Sequence, residues 1–322
     1  MTTQKKAGSD TKLGPAPTRL RQIALTTRDL ENTKLLLTYI LGVDVVFEDD
    51  AVEQWGLKNF LGLQRPCITR ASYTDKAAVP LGGDFIEVVA PTKEGTTVGR
   101  LLDKRGEGGF MIIMQTGDAK KRCDYIKENN LANVIVEHEY RDAICIQYHP
   151  KGIKVVVAQV WWLMRRPGGM MAELDSHTPG PTNPDPVGSR FSPWHACGPA
   201  DESYIRGMER TGHLALEGCV LRLQPGDMGH EAAARQWEEI FGVSRSRDLL
   251  AFTNARLGFI PGEAGLAEGL VSITVGVKGK EHYDAILERA RTAGICGDGW
   301  IQMCGIKWYF SLTGHGEDKG KL

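Results

Sequence analysis

The feature that most constrains the fold of this chain is a supersecondary pattern, one strand, one helix and then further strands, that occurs four times. In the first copy, an apolar strand over residues 21–27 precedes Asp29, a favourable helix N-cap. An amphipathic helix follows over residues 30–41 and ends at Gly42. Short β-like runs then cover residues 43–48, 67–73 and 85–90. The order of elements in this copy is therefore β-α-β-β-β.

Three further copies have opening strands and helices spaced as in the first. The predicted elements are strand 110–116, a helix capped by Asp118, strands 133–138, 143–148 and 154–160; strand 218–224, helix 231–241 before Gly242, strands 249–253 and 256–260; strand 270–277, helix 281–293 before Gly294, strands 300–304 and 307–312. Since the copies occur in two pairs, we predict an α+β protein with two domains of two units each.

A proline-rich segment separates the second copy from the third. The run TPGPTNPDP excludes a helix or a central strand. The resulting division is a tail at 1–17, a first domain at 18–162, a linker at 163–207, a second domain at 208–316 and a tail at 317–322. The stretch FSPWHACGP is too apolar to be only solvated, so we expect the linker to pack on the domains, with Trp161-Trp162 and Trp194-His195 against the first one.

Composition narrows the functional class. Hydrophobic residues are 42% of the chain and charged residues 25%, so a sizeable core is expected. A net charge of −1 provides no basic excess for a phosphate backbone, which argues against a nucleic-acid partner. There is no apolar signal-peptide region at the N-terminus and no run of about 20 apolar residues, so we expect a cytoplasmic protein without membrane association. Scattered cysteines without a CxxC pair indicate reduced thiols rather than disulfides or a zinc ribbon.

Three sequence segments resemble one family. They are RQIALTTRDLENTKLLLTYILGVDVVFED, GGDFIEVVAPTKEGTTVGR and the turn YHPKG. Together with the repeated unit they resemble the vicinal oxygen chelate superfamily, the glyoxalase and bleomycin-resistance relatives. The resemblance implies tandem domains, in each of which two βαβββ modules form an open, cupped mixed sheet with helices outside and the site on the inner face. Isomerases, lyases, oxygenases and binding proteins all use this cup, so the fold leaves the activity open.

The resemblance also implies four inward positions that bind a divalent metal in metal-using relatives. Carried over to the first domain, they are Gln22, Glu87, Met111 and, within one residue, Ala158. Gln22 and Glu87 suit Mg²⁺, Mn²⁺, Zn²⁺ or iron, whereas Met111 is a poor ligand for such ions and Ala158 is none. We therefore expect either no cofactor or a weakly held divalent metal. The corresponding positions of the second domain are Cys219 and, approximately, Leu257, Val271 and Phe310, which form no site.

Glu87 is the strongest candidate for chemistry. It interrupts the apolar strand FIEVV, and a carboxylate on an inward face becomes a stronger base as it leaves water. Gln22 would orient a substrate carbonyl or a water. The complementary acid would be His149 or His138, although each is also explained as a turn or surface histidine. Two further candidates for substrate contact, which also suit rim positions, are Tyr148 and Arg141.

Three functions are compatible with these residues. The first is an isomerase or lyase that transfers a proton next to a carbonyl of a small oxygenated, aromatic or polyketide-like metabolite, with a metal optional. The second is a non-catalytic protein that sequesters such a molecule. The third is a metal-dependent oxygenase or glyoxalase. In each case we expect the second domain to be a scaffold that replaces the partner subunit of single-domain relatives; a homodimer of the fused chain also stays open.

Overall fold

The computed structural model describes residues 13–46, 57–60, 77–91, 95–140, 142–150, 169–194 and 202–314. Within these ranges the chain forms two mixed β-sheets with helices packed on them. This α+β arrangement of two sheets, each built from two strand–helix–strand units, confirms the predicted fold class. None of the helices in the described ranges combines the length and the apolarity needed to cross a bilayer.

The first sheet has eight strands. Its strands are β1 (Thr18–Thr26), β2 (Leu57–Phe60), β3 (Ala77–Leu81), β4 (Asp84–Pro91), β5 (Gly108–Thr116), β6 (Val134–Tyr140), β7 (Ala143–Tyr148) and β8 (Met171–His177). They lie in the order β2-β4-β1-β5-β8-β7-β6, and β3 also pairs with β4. β1 is parallel to β4 and β5 is parallel to β8, while β1 and β5 are antiparallel at the centre. The two units therefore repeat the same pairing on either side of the β1–β5 contact.

The second sheet follows the same plan with seven strands. Its strands are β9 (Leu214–Arg222), β10 (Ser244–Ser246), β11 (Leu249–Ala251), β12 (Arg256–Ile260), β13 (Gly269–Lys278), β14 (Ile301–Met303) and β15 (Ile306–Thr313). β9 is parallel to β12 and β13 is parallel to β15, with β9 and β13 antiparallel at the centre. Each sheet is thus a pair of related units.

Six helices connect the strands in the described ranges. They are α1 (Leu30–Leu41), α2 (Thr97–Arg105), α3 (Ala119–Glu128), α4 (Glu202–Arg210), α5 (His230–Phe241) and α6 (Lys280–Thr292). Asp29 caps α1 by accepting a hydrogen bond from the Asn32 amide, and Asp118 caps α3 in the same way through Lys121, as predicted. Helix α2 was missed, because EGTTVGR reads as a connection; Thr96 caps it by accepting from the Gly99 amide.

The main difference from the sequence analysis concerns β8. This strand lies at Met171–His177, inside the segment that we had assigned to the linker, and it takes the fourth-strand position of the second unit. The strand predicted at residues 154–160 falls outside the described residues. The proline run begins only after His177, so residues 169–177 are free to pair. Helix α4 crosses the predicted boundary between the linker and the second domain at residues 207 and 208.

The two sheets belong to one continuous apolar core, and helices of the two halves meet in pairs. Helix α1 contacts α6, where the Arg289 guanidinium donates to the carbonyl of Ile40 over 2.8 and 3.0 Å. Arg122 of α3 lies against Gly242, the C-cap of α5. The two halves therefore contact each other through helices as well as through the shared core.

Candidate functional site

The register of the first sheet defines four equivalent inward positions. On β1, Gln22 pairs with Phe85, and Glu87 lies two residues beyond that partner. On β5, Met111 pairs with Met171, so the residue two beyond is Glu173. The fourth position is therefore Glu173 and not Ala158, which lies outside the described residues. The first sheet presents two inward carboxylates at equivalent places, where the sequence analysis expected one.

Gln22 and Glu87 form a buried hydrogen-bonded pair. Arg21 is an extra residue in the β1–β5 ladder, so this bulge directs Gln22 toward β4. The Gln22 Nε2 donates to Glu87 Oε2 over 2.8 Å, and the indole Nε1 of Trp194 donates to Gln22 Oε1 over 3.1 Å. Gln22 and Trp194 are fully buried, and Glu87 is 4% exposed. Because both ends of the amide have a partner, its orientation and that of the carboxylate are fixed.

The second inward carboxylate has a similar partner. Glu173 is 5% exposed, and its Oε2 accepts a hydrogen bond of 2.6 Å from the Nε2 of Gln147 on the neighbouring strand β7. Each of the two glutamates is thus held by a glutamine amide from an adjacent strand. A carboxylate that accepts an amide N–H keeps a defined direction.

Beyond Glu173, the same face of β8 carries Asp175 and His177. Asp175 is fully buried, and burial, followed by the negative charge of Glu173, raises the pKa of its carboxyl group well above the ordinary value. The Gln115 Nε2 and His177 Nδ1 are 3.2 Å apart, and the His177 ring lies 5.2 Å from that of Trp194. These residues were not predicted, because they precede a proline-rich run that is typical of a linker; the alternation of polar residues in MAELDSH was the available signal.

Residues 185–194, which we call the strap, cross this face and carry Trp194 into it. Arg19 pairs with Asp84 at 2.7 Å and donates to the carbonyl of Ser189 over 2.6 Å. The Arg21 guanidinium donates to the hydroxyl and the carbonyl of Ser192 over 2.8 and 2.5 Å. Burial, and then repulsion from Arg19, lower the pKa of Arg21 to about 9, so this side chain stays protonated at neutral pH. Two buried arginines of β1 therefore fix the strap, as expected for the packing of Trp194 on the first domain.

The other candidates lie elsewhere. His138 is exposed on the edge strand β6, and His149 is exposed just after β7; β1, β5 and β8 separate β7 from the strand that carries Glu87. Tyr148 is fully buried, with its ring 5.4 Å from that of Phe241, and burial raises the pKa of its hydroxyl. Arg141 lies outside the described residues. The structure thus brings Gln22 and Glu87 together but does not place His138 or His149 beside them.

The donors at the four inward positions do not fit a divalent ion. The Gln22 oxygen faces the Trp194 N–H, and the Gln22 N–H, which cannot coordinate a cation, faces Glu87. Met111 supplies a thioether, which is a poor ligand for hard divalent ions. Among the described residues, no group of three or more His, Cys, Asp or Glu side chains is arranged to hold a metal.

In the second sheet, the register gives four equivalent positions without a carboxylate. They are Gly218, Gly258, Ser272 and Tyr309. Each differs by one residue from the expected set, Cys219, Leu257, Val271 and Phe310, because the sequence alone does not fix the register of a strand that contains bulges. The conclusion that these four positions form no metal site is unchanged.

Comparison with known proteins supports the fold and not an activity. No family model and no curated protein matches the chain. A hypothetical protein from Staphylococcus aureus matches with a TM-score of 0.50 and 8% identity, over 92% of this chain and 99% of that one. Methylmalonyl-CoA epimerase from Mycobacterium tuberculosis matches with a TM-score of 0.37 and 18% identity, over 52% and 93% of the two chains. A Streptomyces coelicolor methylmalonyl-CoA epimerase variant, in complex with 2-nitronate-propionyl-CoA, matches with a TM-score of 0.34 and 20% identity, over 50% of this chain and 99% of that one.

The strand order and the paired pattern of parallel contacts agree with the expectation drawn from the sequence motifs. Both sheets are mixed and open, and each is made of two units related by the central antiparallel pair. The chain therefore has two open, mixed α+β sheets in tandem, which is the fold that its resemblance to the vicinal oxygen chelate superfamily implies.

Proposed function

We propose that the first domain is an enzyme that moves a proton at the carbon next to a carbonyl of a small oxygenated metabolite, an isomerase- or lyase-type reaction. The observation that carries the proposal is the pair of buried, inward glutamates, Glu87 and Glu173, at equivalent positions of the two units. Buried carboxylates on apolar strands are costly, which favours a functional reason for keeping two of them on one face.

In this proposal Glu87 is the base. Its carboxylate removes a proton from the substrate carbon, and the electron pair of the broken C–H bond moves toward the carbonyl oxygen, which gives an enolate. Gln22 holds the carboxylate in place through the 2.8 Å hydrogen bond. Because Glu87 is 4% exposed, little water competes with a substrate C–H group for its carboxylate.

We assign the returning proton to the buried Asp175 carboxyl group, which passes it through its neighbour Glu173 to the enolate. Glu87 then releases the substrate proton to solvent and Asp175 takes one up, which restores the starting state. His138 and His149 are exposed on the far side of β8 from Glu87 and are not used. A proton returned to the same carbon gives an epimer, and one returned elsewhere gives an isomer. In a lyase, the enolate would instead expel a leaving group. No step in this scheme uses a metal, in agreement with the donor set at the four inward positions.

The test is incorporation of solvent deuterium next to a carbonyl, followed by NMR. The panel contains hydroxy ketones, 2-oxo acids and acyl thioesters, including methylmalonyl-CoA. Replacing the base by Glu87→Gln should reduce the exchange rate by about 10²–10⁴-fold, the usual contribution of a positioned base. Glu87→Asp, which keeps a shortened carboxylate, should retain part of the rate.

The matched control is Glu139→Gln, which makes the same chemical change at an exposed position of β6 and should leave exchange unchanged. Thermal unfolding of each variant separates loss of the base from loss of the fold. Undiminished exchange in a folded Glu87→Gln protein would show that Glu87 is not the base.

A second candidate is a non-catalytic binding protein. It is favoured by Trp194, which contacts Gln22 on one half of the face and His177 on the other, and by the absence of an acid at the four equivalent positions of the second sheet. Saturable binding of a panel compound without any deuterium exchange would support this function. Multiple turnovers of any compound would contradict it.

A further inference from the structure

A cavity of about 230 Å³ lies where the two halves and the strap meet. One wall comes from β1 and the turn between β3 and β4, a second from the strap, and a third from β9 and the β11–β12 connection. Gln22, Glu87 and Trp194 do not line it, so this cavity is separate from the candidate site. One water needs only about 10–15 Å³, and pockets for drug-sized ligands begin at about 300 Å³, so the space fits a small metabolite.

The lining of this cavity carries one unmatched positive charge. Arg19 and Asp84 both line it, and their charges compensate each other in the 2.7 Å ion pair. Arg190 of the strap also lines it, and no carboxylate in the described part of the chain pairs with this arginine. Asp185, the acid of the strap, accepts a backbone amide hydrogen bond over 2.8 Å and lies outside the lining. Arg190 is therefore available to an anion.

The Arg190 guanidinium is held in one orientation. Its Nη2 donates to the carbonyls of Gly212 and Leu214 over 2.8 and 3.0 Å, and its central carbon lies 5.1 Å from the ring centroid of Phe191. A guanidinium has five N–H donors, and these two bonds leave the donors on Nε and Nη1 without an acceptor among the described residues. Because the group is already fixed, little conformational freedom is lost when it binds an oxyanion.

Much of the remaining wall is aliphatic. Leu81, Val187 and Leu216 line the cavity and are buried, with 0%, 8% and 1% of their surfaces exposed. Thr253 and Arg190 are exposed, so the cavity opens to solvent on their side. One positive charge beside an apolar wall is the complement of a single negative charge that carries a short hydrocarbon chain.

We propose that this cavity binds a short-chain aliphatic carboxylate. The carboxylate accepts from the free N–H groups of Arg190, and the hydrocarbon chain packs on Leu81, Val187 and Leu216. Since the walls come from both halves and from the strap, a bound acid stabilises the folded arrangement of all three. The proposal does not depend on the proposed function, because no residue of the Glu87 site takes part.

The experiment titrates the full chain with acetate, butanoate, 3-methylbutanoate, the neutral 3-methylbutanamide and inorganic phosphate, with binding followed by ligand-detected NMR. We expect 3-methylbutanoate to bind about tenfold more tightly than its amide, because only the acid makes a charge-assisted contact with Arg190. Affinity should rise by about two- to fourfold with each carbon added along the three carboxylates. Phosphate, which has no apolar part, should not displace 3-methylbutanoate.

Two variants separate the charge from the space. Arg190→Gln should lower the affinity for 3-methylbutanoate to that for the amide, and Arg190→Lys, which keeps the charge, should retain part of the affinity. Thr253→Trp places a large side chain at the exposed side of the cavity without changing the arginine or the core, and it should also abolish binding. The control is Arg235→Gln, which removes an exposed charge on α5 and should leave binding unchanged.

Thermal unfolding identifies the folded variants, and Thr253→Trp decides the question should Arg190→Gln fail to fold. The proposal is overturned by equal binding of the acid and the amide, by no binding of any of the three carboxylates, or by unchanged affinity in folded Arg190→Gln or Thr253→Trp. Tighter binding of phosphate would also overturn it. Glu87→Gln should leave 3-methylbutanoate binding intact while deuterium exchange is lost, so failure of this cavity and failure of the proposed enzyme are distinguishable.

Discussion

Asp175 is an acidic residue in an environment that disfavours its charge. It is fully buried on β8, with Glu173 two residues away on the same face and the Cys145 thiol opposite it on β7. The pKa of its carboxyl group is raised, so the folded protein holds this proton at pH values where the unfolded chain has released it. Stability is therefore coupled to pH through this residue.

The direction of the coupling follows from proton counting. The unfolded aspartate titrates near pH 3.9, about the ordinary value. As pH rises above that, the folded state binds more protons at this position than the unfolded state, so the free energy of unfolding falls until the folded carboxyl group also ionises. Asp175→Asn removes this loss. We expect the variant to be more stable than the natural chain at neutral pH, by a margin that narrows as pH is lowered toward 4.

Urea unfolding of both proteins between pH 4 and 8 measures this margin. Asp103→Asn, at an exposed position, is the control and should show no pH-dependent advantage. A constant difference between the Asp175→Asn and natural curves across that range would contradict the retained proton.

Individual residues were predictable where a polar side chain interrupts an apolar strand. Glu87 stands out in FIEVV, and Gln22 follows from its place in the opening strand. Glu173 and Asp175 could not be found in the same way, since their strand lies just before a proline-rich run, a context that predicts a linker. The pairing of Gln22 with Trp194 could not be predicted, because 172 residues separate them in sequence.

At the scale of elements, two helices end at glycines that the sequence predicts as helix ends. Gly42 and Gly242 end α1 and α5 with φ of 68° and 69°, the left-handed conformation that glycine adopts without strain. Each also accommodates an arginine of the other half: a Cβ would lie 2.9 Å from Arg289 at Gly42, and much closer to Arg122 at Gly242. These two glycines therefore serve both the helix end and the contact between the halves.

Gly242→Ala tests this double role. The left-handed backbone should cost about 1–2 kcal/mol, and displacement of the buried Arg122 guanidinium should add to that cost. Gly294→Ala is the matched control, since Gly294 has the same φ of 69° but no atom within 4 Å of the added Cβ. Chemical denaturation should show Gly242→Ala as the more destabilised variant. An equal loss of unfolding free energy in the two variants would mean that the Arg122 guanidinium moves away from the new Cβ without destabilising the protein.

Helix α1, with an aspartate cap and a terminal glycine, and helix α5, with a terminal glycine, were predicted to within about a residue, because caps and terminal glycines are local signals. Helix α2 has a threonine cap and a glycine inside it, so its local signals resemble those of a turn. The prediction of strand β8 required the correct position of the boundary between the first domain and the linker. Such boundaries depend on pairing between distant strands, which local patterns do not report.

At the scale of the whole molecule, Asn254 joins the two halves. It lies between β11 and β12, where its side-chain oxygen accepts from the Leu20 amide over 3.0 Å and its Nδ2 donates to the Leu20 carbonyl over 2.9 Å. The same Nδ2 lies 3.0 Å from an oxygen of Asp84. One side chain of the second half thus completes the hydrogen bonding of the central strand of the first.

Asn254→Ala should lower the free energy of unfolding by about 1–3 kcal/mol, because it leaves the buried backbone groups of Leu20 without partners. Asn129→Ala removes an exposed hydrogen bond to Tyr125 and should change stability by less than about 0.5 kcal/mol. Both are measured by urea unfolding with two spectroscopic probes. The two probes should report the same unfolding transition, since the halves share a core. A separate transition at lower urea concentration in the natural chain would show that the halves unfold independently.

The strap has a consequence for any attempt to divide the chain. The segment that brings Trp194 to Gln22 is also part of the connection between the two halves, so covalent continuity and the wall of the site depend on the same ten residues. A break placed before Ser189 would assign the indole to the fragment that lacks the glutamates. A break placed after Arg210 would leave it with them, so only the second pair of fragments could restore the pocket without relying on reassociation to deliver its tryptophan.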